Sequence, residues 1–191
     1  MKSAAKSAVN AGLVDKIISG GQTGVDRAAL DVAIELGINY GGWCPLGRRS
    51  EDGVVPEKYI LQEAPTANYA DRTALNVRDS DATLIIAKLP LRSGTALTQK
   101  MADRYRRPSL IVDPHEVVTI PNVLEWLKKH NVKVLNVAGP RESLRQDVGA
   151  AAAQFLTQLL SRTRAAKLSA KKPSAKKTGA AMVVSSESVT R

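Results

Sequence analysis

Three glycine-containing turns hold the residues of this sequence that are best suited to bind a negatively charged group. The first runs from Gly20 to Gly24, the second is Ser93-Gly94-Thr95, and the third runs from Gly139 to Ser143. Glycine lets the backbone approach a ligand closely, and the N–H groups at the start of a helix point towards an anion. Because a helical pattern follows each turn, we predict that the three turns bind a phosphate group.

Side chains in and beside these turns add to the predicted site. Thr23 can cap the following helix or donate its hydroxyl, and Arg141 supplies a forked, permanently charged donor next to Pro140 at a predicted helix start. Asp26 could contact a ribose or a cation, and Arg27 could contact a phosphate. The alternatives are a carboxylate stabilised by the helix dipole and an exposed helical arginine. The predicted binding residues are Gly20, Gly21, Gln22, Thr23, Gly24, Asp26, Arg27, Ser93, Gly94, Thr95, Gly139, Pro140, Arg141, Glu142 and Ser143.

Three further residues are secondary candidates for ligand contact. Arg48 and Arg49 lie in a proline-containing stretch over residues 44–66, which we predict to be a long loop, and could close over an anion. A solvated cluster of charges explains these two arginines equally well. Asn76 could face the same ligand from the helical pattern over residues 68–80.

The turns depart from the two best-known phosphate-binding motifs. A Walker-type loop needs a Gly-Lys pair, and the sequence contains none. The dinucleotide fingerprint needs Gly-x-Gly-x-x-Gly, whereas the spacing from Gly20 to Gly24 is different. ATP hydrolysis and ordinary nicotinamide chemistry are therefore both disfavoured.

The sequence offers little equipment for breaking covalent bonds or for holding a metal ion. No Ser-His-Asp, Cys-His or paired-carboxylate arrangement stands out. Cys44 is a single cysteine, and His115 and His130 lie far apart, so no metal site is predicted. A binding protein is the first hypothesis. The alternative is a nucleotide-processing hydrolase in which Asp26 or Glu142 activates water.

Short β-branched segments alternate with helical patterns along the chain, and this alternation must position the turns. Continuous apolar strands between helices indicate a parallel sheet that is covered on both faces. We predict an α/β fold with a doubly wound, mostly parallel sheet. A single glycine turn could serve only as a tight connection, but three turns at one sheet edge favour ligand contact. The predicted strands cover residues 13–20, 81–89, 108–113 and 132–139, and the predicted helices cover residues 25–37, 68–80, 94–107, 120–130 and 141–162.

The positive charge of the chain is concentrated at its ends. The 191 residues carry a formal net charge of +10, yet residues 7–160 hold 18 basic and 17 acidic side chains. We predict a flexible N-terminus over residues 1–12, one ligand-binding domain over 13–163 and a disordered basic tail over 164–191. The tail could make weak, salt-sensitive contacts with nucleic acid. The chain has no apolar run long enough to span a bilayer and only one cysteine, which favours a cytoplasmic protein.

Several collinear segments resemble one known family. They are "IISGGQTGVDRAALDVAIELGI", "YGGWCPLGRRSEDG", "NVRDSDATLII", "SGTALT" and "LNVAGPRES". Together they look like the molybdenum-carrier family, also described as circularly permuted YpsA-like, within the Rossmann-like SLOG/LOG superfamily. The resemblance covers about residues 14–160 and excludes the basic tail.

The resemblance implies a function in binding a small phosphate-bearing molecule. It implies a Rossmann-like domain that holds a nucleotide or a phosphorylated pterin such as molybdenum cofactor (molybdopterin), as a homo-oligomer. Phosphoribohydrolases of the LOG type carry Pro-Gly-Gly-x-Gly-Thr-x-x-Glu. In this sequence Gly94 and Thr95 match, but Thr98 stands where the glutamate would fall. This departure argues against N-glycosidic hydrolysis.

Overall fold

The computed structural model describes residues 14–115 and 120–171, with side chains described up to residue 163. Five of its nine strands form one parallel sheet, in the order β2-β1-β9-β7-β8. The strands are β1 (Lys16–Ile18), β2 (Asn39–Gly41), β3 (Trp43–Cys44), β4 (Arg49–Ser50), β5 (Gly53–Val54), β6 (Gln62–Glu63), β7 (Ala82–Ile86), β8 (Ser109–Val112) and β9 (Val134–Ala138).

Five α-helices flank the central sheet. They are α1 (Val25–Glu35), α2 (Tyr69–Arg78), α3 (Ser93–Arg104), α4 (Ile120–Lys129) and α5 (Val148–Lys171). The crossovers β1–α1–β2 and β7–α3–β8 run in opposite directions along the sheet, so right-handed connections place α1 and α3 on opposite faces. In agreement with this, α5 packs against α1 and α4, whereas α2 packs against α3. The predicted doubly wound α/β fold is confirmed.

The central strands are mostly apolar because helices cover both faces of the sheet. Every residue of β7 is buried, as are Ile17 of β1 and Leu135 of β9. Among the helices, α5 contributes the most buried residues to the hydrophobic core, and its Leu156 and Leu159 are fully buried there. Each such side chain contributes about 1.5–3 kcal/mol by leaving water.

Residues 44–66 are more ordered than the predicted long loop. Strand β3 pairs with β6, and β4 pairs with β5 as a short antiparallel hairpin. A 3₁₀ turn over Leu46–Arg48 joins β3 to the hairpin. Strands of two residues leave no detectable alternation in the sequence, which is why the pattern predicted only a loop.

The last helix begins later than the sequence pattern indicated. A 3₁₀ turn covers Glu142–Leu144, and α5 starts only at Val148. Asp147 between them has a φ of 62°, which interrupts a right-handed helix. The carboxylate of Glu142 accepts a hydrogen bond from the Gly149 N–H over 3.0 Å and so caps α5.

The ends of the chain are described only in part. Helix α5 continues to Lys171, past the predicted domain boundary at residue 163. The predicted flexible N-terminus over residues 1–12 lies outside the described residues, as do residues 172–191 of the predicted tail. Among the helices that the structure describes, none is both long and apolar enough to cross a bilayer.

Candidate functional site

The three predicted turns lie at one edge of the central sheet. Strands β1, β9 and β7 are parallel neighbours, and their carboxyl ends lead towards the first, third and second turns respectively. Gly139 shows how closely these segments approach. A Cβ atom at this position would lie 2.4 Å from the Ile86 carbonyl oxygen and 2.5 Å from Cγ2 of Val25. Only glycine therefore fits between the end of β7 and the start of α1.

A crevice of about 230 Å³ opens at this edge, between α2, α3 and the end of β9. Such a position beyond the carboxyl ends of parallel strands is where doubly wound folds bind ligands. Eight of the predicted binding residues line it, together with residues that the sequence did not single out. The lining is formed by Gln22, Asp26, Tyr69, Arg72, Thr73, Ser93, Gly94, Thr95, Leu97, Thr98, Ala138, Gly139, Pro140, Arg141 and Leu144.

The N-terminus of α3 forms one wall of the crevice. The N–H groups of Thr95 and Ala96 bond to the Arg92 carbonyl oxygen, whereas Ser93 and Gly94 have no acceptor for their N–H groups within the described residues. The aligned peptide units of α3 concentrate partial positive charge at this end of the helix. The second predicted turn thus presents two open N–H donors beside the crevice, which suits an anion.

Arg72 and Asp26 both line the crevice and form an ion pair. Their side chains are 14% and 4% exposed, and Nη1 of Arg72 lies 3.1 Å from Oδ2 of Asp26. Burial raises the pKa of Asp26 above its usual value, and the positive charge of Arg72 opposes that rise. Nε of Arg72 is buried and has no hydrogen-bond partner within the described residues. Arg72 itself lines the crevice.

Arg72 is the main site residue that the sequence analysis missed. It lies inside α2, where an arginine is usually a solvated residue of the outer face. The one available signal was that α2 has polar residues on its inner face, because Thr73 and Asn76 are buried. Burial of polar side chains on a helix requires partners, and those partners come from segments distant in sequence.

Apolar side chains form part of the rim. Tyr69 is 38% exposed and Leu144 is 57% exposed, and both line the crevice. Tyr69 begins α2, directly after the N-cap Asn68, whose side chain accepts a hydrogen bond from the Ala70 N–H. The crevice thus combines donors for an anion with an exposed aromatic ring and an aliphatic side chain.

The first turn contributes less open surface than predicted. Gln22 lines the crevice, but its Oε1 atom accepts hydrogen bonds from the N–H groups of Thr23 and Glu51, each over 3.0 Å. The N–H of Gln22 points to the Asp26 carboxylate at 3.4 Å. Gly24 caps α1 without any side-chain bond, so of the two roles suggested for Thr23 the structure shows hydroxyl donation, to Glu51, and not capping. These amides are committed to the protein itself.

Gly20, Gly21 and Gly24 serve close packing. A Cβ at Gly20 would lie 1.6 Å from Nη1 of Arg72, and a Cβ at Gly24 would lie 2.6 Å from the Pro140 carbonyl oxygen. Gly21 has a φ of 76° and packs against Leu61. The three glycines let α2, the third turn and the 44–66 segment approach the first turn.

The third turn packs directly over the start of α1. The Pro140 carbonyl oxygen accepts a hydrogen bond from the Val25 N–H over 3.3 Å, and the Glu142 N–H donates to Oγ1 of Thr23 over 3.2 Å. The sequence pattern predicted that Pro140 and Arg141 lie at the start of the last helix. Because α5 starts only at Val148, neither residue lies there. Arg141 lines the crevice, and its side chain is 44% exposed.

The other predicted arginines lie outside the crevice. Arg27 forms a two-pronged ion pair with Asp52, with contacts of 2.5 and 2.7 Å, and also donates to the Gly21 carbonyl oxygen. Arg48 donates to the carbonyl oxygens of four residues of the 44–66 segment and holds that segment together. Arg49 is exposed on β4. The structure therefore gives Arg27 and Arg48 positions that stabilise the fold.

Asn76 also has a structural position. Its Oδ1 atom accepts from the Trp43 N–H over 2.8 Å, and its Nδ2 atom donates to the Trp43 carbonyl oxygen over 2.9 Å. The side chain is 2% exposed. Asn76 thus fixes β3 to α2 and does not line the crevice.

The carboxylates that a hydrolase would need are already engaged. Asp26 is paired with Arg72, and Glu142 caps α5 through Gly149. The two carboxylates that the alternative function named, Asp26 and Glu142, therefore both have protein partners already.

The described residues contain no group of three or more histidine, cysteine, aspartate or glutamate side chains that could hold a metal ion. Cys44 is fully buried, and its thiol lies 3.4 Å from the Gln62 carbonyl oxygen. Burial raises the pKa of this thiol, which keeps it in the neutral form.

The chain is similar to proteins of one family over most of its length. Residues 17–160 match the model of the circularly permutated YpsA SLOG family. A solved structure from Syntrophus aciditrophicus SB, of a protein named "Putative molybdenum carrier protein", shares 45% sequence identity with a TM-score of 0.74. The similarity covers 78% of this chain and 96% of that chain. No curated protein matches the chain.

Proposed function

Because the chain belongs to the circularly permutated YpsA SLOG family, we propose that it is a binding protein that carries a phosphate-bearing ligand in the crevice. The observation that carries the proposal is the open N-terminus of α3, where the N–H groups of Ser93 and Gly94 lie beside the crevice. A phosphate at this end of the helix gains hydrogen bonds and the favourable helix dipole together.

Two arginines support the same proposal. Arg72 and Arg141 both line the crevice. Guanidinium groups match the geometry of phosphate oxygens, and a bound phosphate would provide acceptors for them. Asp26 neutralises part of this positive charge, so the crevice is expected to favour a ligand of modest negative charge.

The rim supports a ligand with a flat organic part. Tyr69 and Leu144 are exposed at the crevice, where a heterocycle would gain apolar contact. A nucleotide or a phosphorylated pterin has both the ring and the phosphate. We therefore propose this class, which includes molybdenum cofactor, as the ligand.

The donor set fits the phosphate of such a cofactor and does not fit a bare metal ion. The crevice presents N–H groups, hydroxyls and guanidinium groups, which bind anions, and the described residues lack a cluster of metal ligands. Any molybdenum cargo would accordingly be held through the organic ligand. The name of the relative from Syntrophus aciditrophicus SB agrees with a carrier function.

Gly94 provides the sharpest test of this proposal. A Cβ atom at Gly94 meets nothing within 4 Å, so Gly94→Asp and Gly94→Asn should both fold. The aspartate places a negative charge where the phosphate is proposed to bind, whereas asparagine of the same shape does not. Binding of a panel of nucleoside monophosphates and a phosphorylated pterin is measured by titration calorimetry.

We expect Gly94→Asp to weaken binding by about tenfold or more, since like charges in contact cost several kcal/mol. Gly94→Asn should remain within a few-fold of the native chain. Equal affinities for the two variants would remove α3 from the site. Release of free base during the incubation would contradict a pure binding function and support a hydrolase.

A further inference from the structure

The β4–β5 hairpin carries Glu51 at its tip, and four donors from two other segments converge on that carboxylate. Thr23 and Ser143 donate their hydroxyls to Oε1 and Oε2 respectively. The Ser143 N–H lies 3.3 Å from Oε1, and Nε of Arg141 lies 3.4 Å from Oε2. We call these donors of Thr23, Arg141 and Ser143 the oxyanion cage.

The oxyanion cage has the composition of a phosphate site. It combines two hydroxyls, one backbone N–H and one guanidinium, and all of these groups donate to negatively charged oxygens. Its members belong to the first and third turns, which the sequence analysis had predicted to bind phosphate. A carboxylate presents two of the oxygens that a phosphate would present to the same donors.

We propose that the oxyanion cage is a second anion-binding site, which Glu51 occupies in the free protein and from which a phosphate group displaces it. The cage lies outside the crevice lining except for Arg141, which belongs to both. A ligand with two phosphate groups could therefore place one at α3 and the other in the cage. The proposal does not depend on the crevice binding any ligand.

Comparison with Asp52, the next residue at the hairpin tip, shows that the contacts of Glu51 differ from those of an ordinary surface carboxylate. Asp52 is 49% exposed and contacts Arg27 and Ser50, the latter within its own hairpin. Glu51 is 16% exposed, and its partners come from two remote segments. Burial raises the pKa of Glu51, but the hydrogen bonds of Ser143 and Thr23 outweigh burial and lower it, so the occupant of the cage is an anion.

The hairpin can release Glu51 without losing its anchor. Asp52 remains bound to Arg27 when Glu51 leaves, and the Glu51 N–H bond to Gln22 is the only further tie of Glu51 among the described residues. Gly53 follows with a φ of 115° and nothing within 4 Å of its Cβ position. Rotation of the Glu51 side chain into solvent therefore needs only a local change.

The experiment compares Glu51→Ala with Asp52→Ala in inorganic phosphate. Both variants remove one tip carboxylate from one arginine, but only Glu51→Ala empties the oxyanion cage. We expect phosphate to raise the Tm of Glu51→Ala towards that of the native chain and to bind about tenfold more tightly than to Asp52→Ala. Equal effects of phosphate on the two variants would overturn the proposal.

The same comparison in a Gly94→Asp background separates the oxyanion cage from the crevice. Rescue of Glu51→Ala by phosphate should persist there, because Gly94 is not part of the cage. Loss of the rescue would mean that phosphate acts at α3, and the proposal would be wrong.

If Glu51→Ala does not fold, Glu51→Gln serves instead, since it keeps the shape of the side chain and removes its charge. Phosphate titration should then shift the Ser143 amide resonance at lower concentration than in the native chain, and an unchanged concentration would overturn the proposal.

Discussion

Nη1 of Arg72 lies 3.1 Å from Oδ2 of Asp26, and this ion pair joins α2 to the first turn of α1 beside the crevice. The guanidinium passes directly over Gly20, where a Cβ atom would lie 1.6 Å from Nη1. Gly20 is thus required because the Arg72 side chain occupies the space that a Cβ atom would need. The same ion pair also accounts for the buried charge beside the crevice.

The Arg72–Asp26 pair should be costly to break from one side only. We expect Arg72→Met to lower the free energy of unfolding by about 3–5 kcal/mol, because it leaves a buried carboxylate without its counter-charge. Adding Asp26→Asn should recover part of the loss, since the unpaired charge is then removed. Urea unfolding of both variants measures this. A cost below about 1 kcal/mol for Arg72→Met would contradict it.

Gly24 and Gly37 differ in what requires the glycine, which is conformation alone at Gly37 but close packing together with a φ of 74° and a ψ of −127° at Gly24. Both have positive φ, 74° and 61°, but a Cβ at Gly24 would lie 2.6 Å from the Pro140 carbonyl oxygen and one at Gly37 meets nothing within 4 Å. Gly37→Ala should cost about 1–2 kcal/mol from the left-handed conformation alone. Gly24→Ala should cost more by about 1–3 kcal/mol, since backbone atoms must move. Thermal unfolding compares the two variants. Equal losses of stability would show that the third turn can move away from a Cβ atom at Gly24 without cost.

Asn76 should be more important for stability than for binding. Asn76→Ala leaves the partly buried N–H and carbonyl groups of Trp43 without their side-chain partner, so we expect a loss of about 1–3 kcal/mol. Asn68→Ala on the same helix removes only an exposed N-cap, at about 1 kcal/mol. Chemical denaturation ranks the two variants. A larger loss for Asn68→Ala would contradict the conclusion that the hydrogen bonds of Asn76 hold β3 against α2.

Asp52 should contribute to the pH dependence of stability in acid. Hydrogen bonds from Arg27 and Ser50 lower its pKa from 3.8 to about 2. Because the pKa is lower in the folded state, the stabilisation is present above the unfolded value of 3.8 and is lost as the pH falls through about 2. Asp52→Asn should therefore flatten the dependence of Tm on pH within this window. The effect should be small, since the side chain is 49% exposed.

Glu57→Gln is the control for the loss of one carboxylate from this segment, because Glu57 is exposed and does not belong to the pair with Arg27. Identical slopes for Asp52→Asn and the native chain would show that the pair with Arg27 contributes nothing in solution.

Most of the fold could be predicted from the sequence because its signals are local. The apolar run that contains β7 and the helical period of α1 each lie within a dozen residues, and short patterns of this kind decide the type of element. The β4–β5 hairpin and the start of α5 could not be predicted in this way. The hairpin has two-residue strands, and the helix start depends on a φ of 62° at Asp147 and on the cap from Glu142.

The sequence by itself determined that three glycine turns follow parallel strands and so meet at one sheet edge, since the order of apolar strands and helices is local information. Only the tertiary structure decided what each turn contacts. The first and third turns pack on each other and on Glu51, whereas the second remains open at the start of α3. Arg72 enters the crevice from a helix 46 residues beyond Asp26. Such contacts depend on side chains that approach through folding, and no spacing along the chain encodes them.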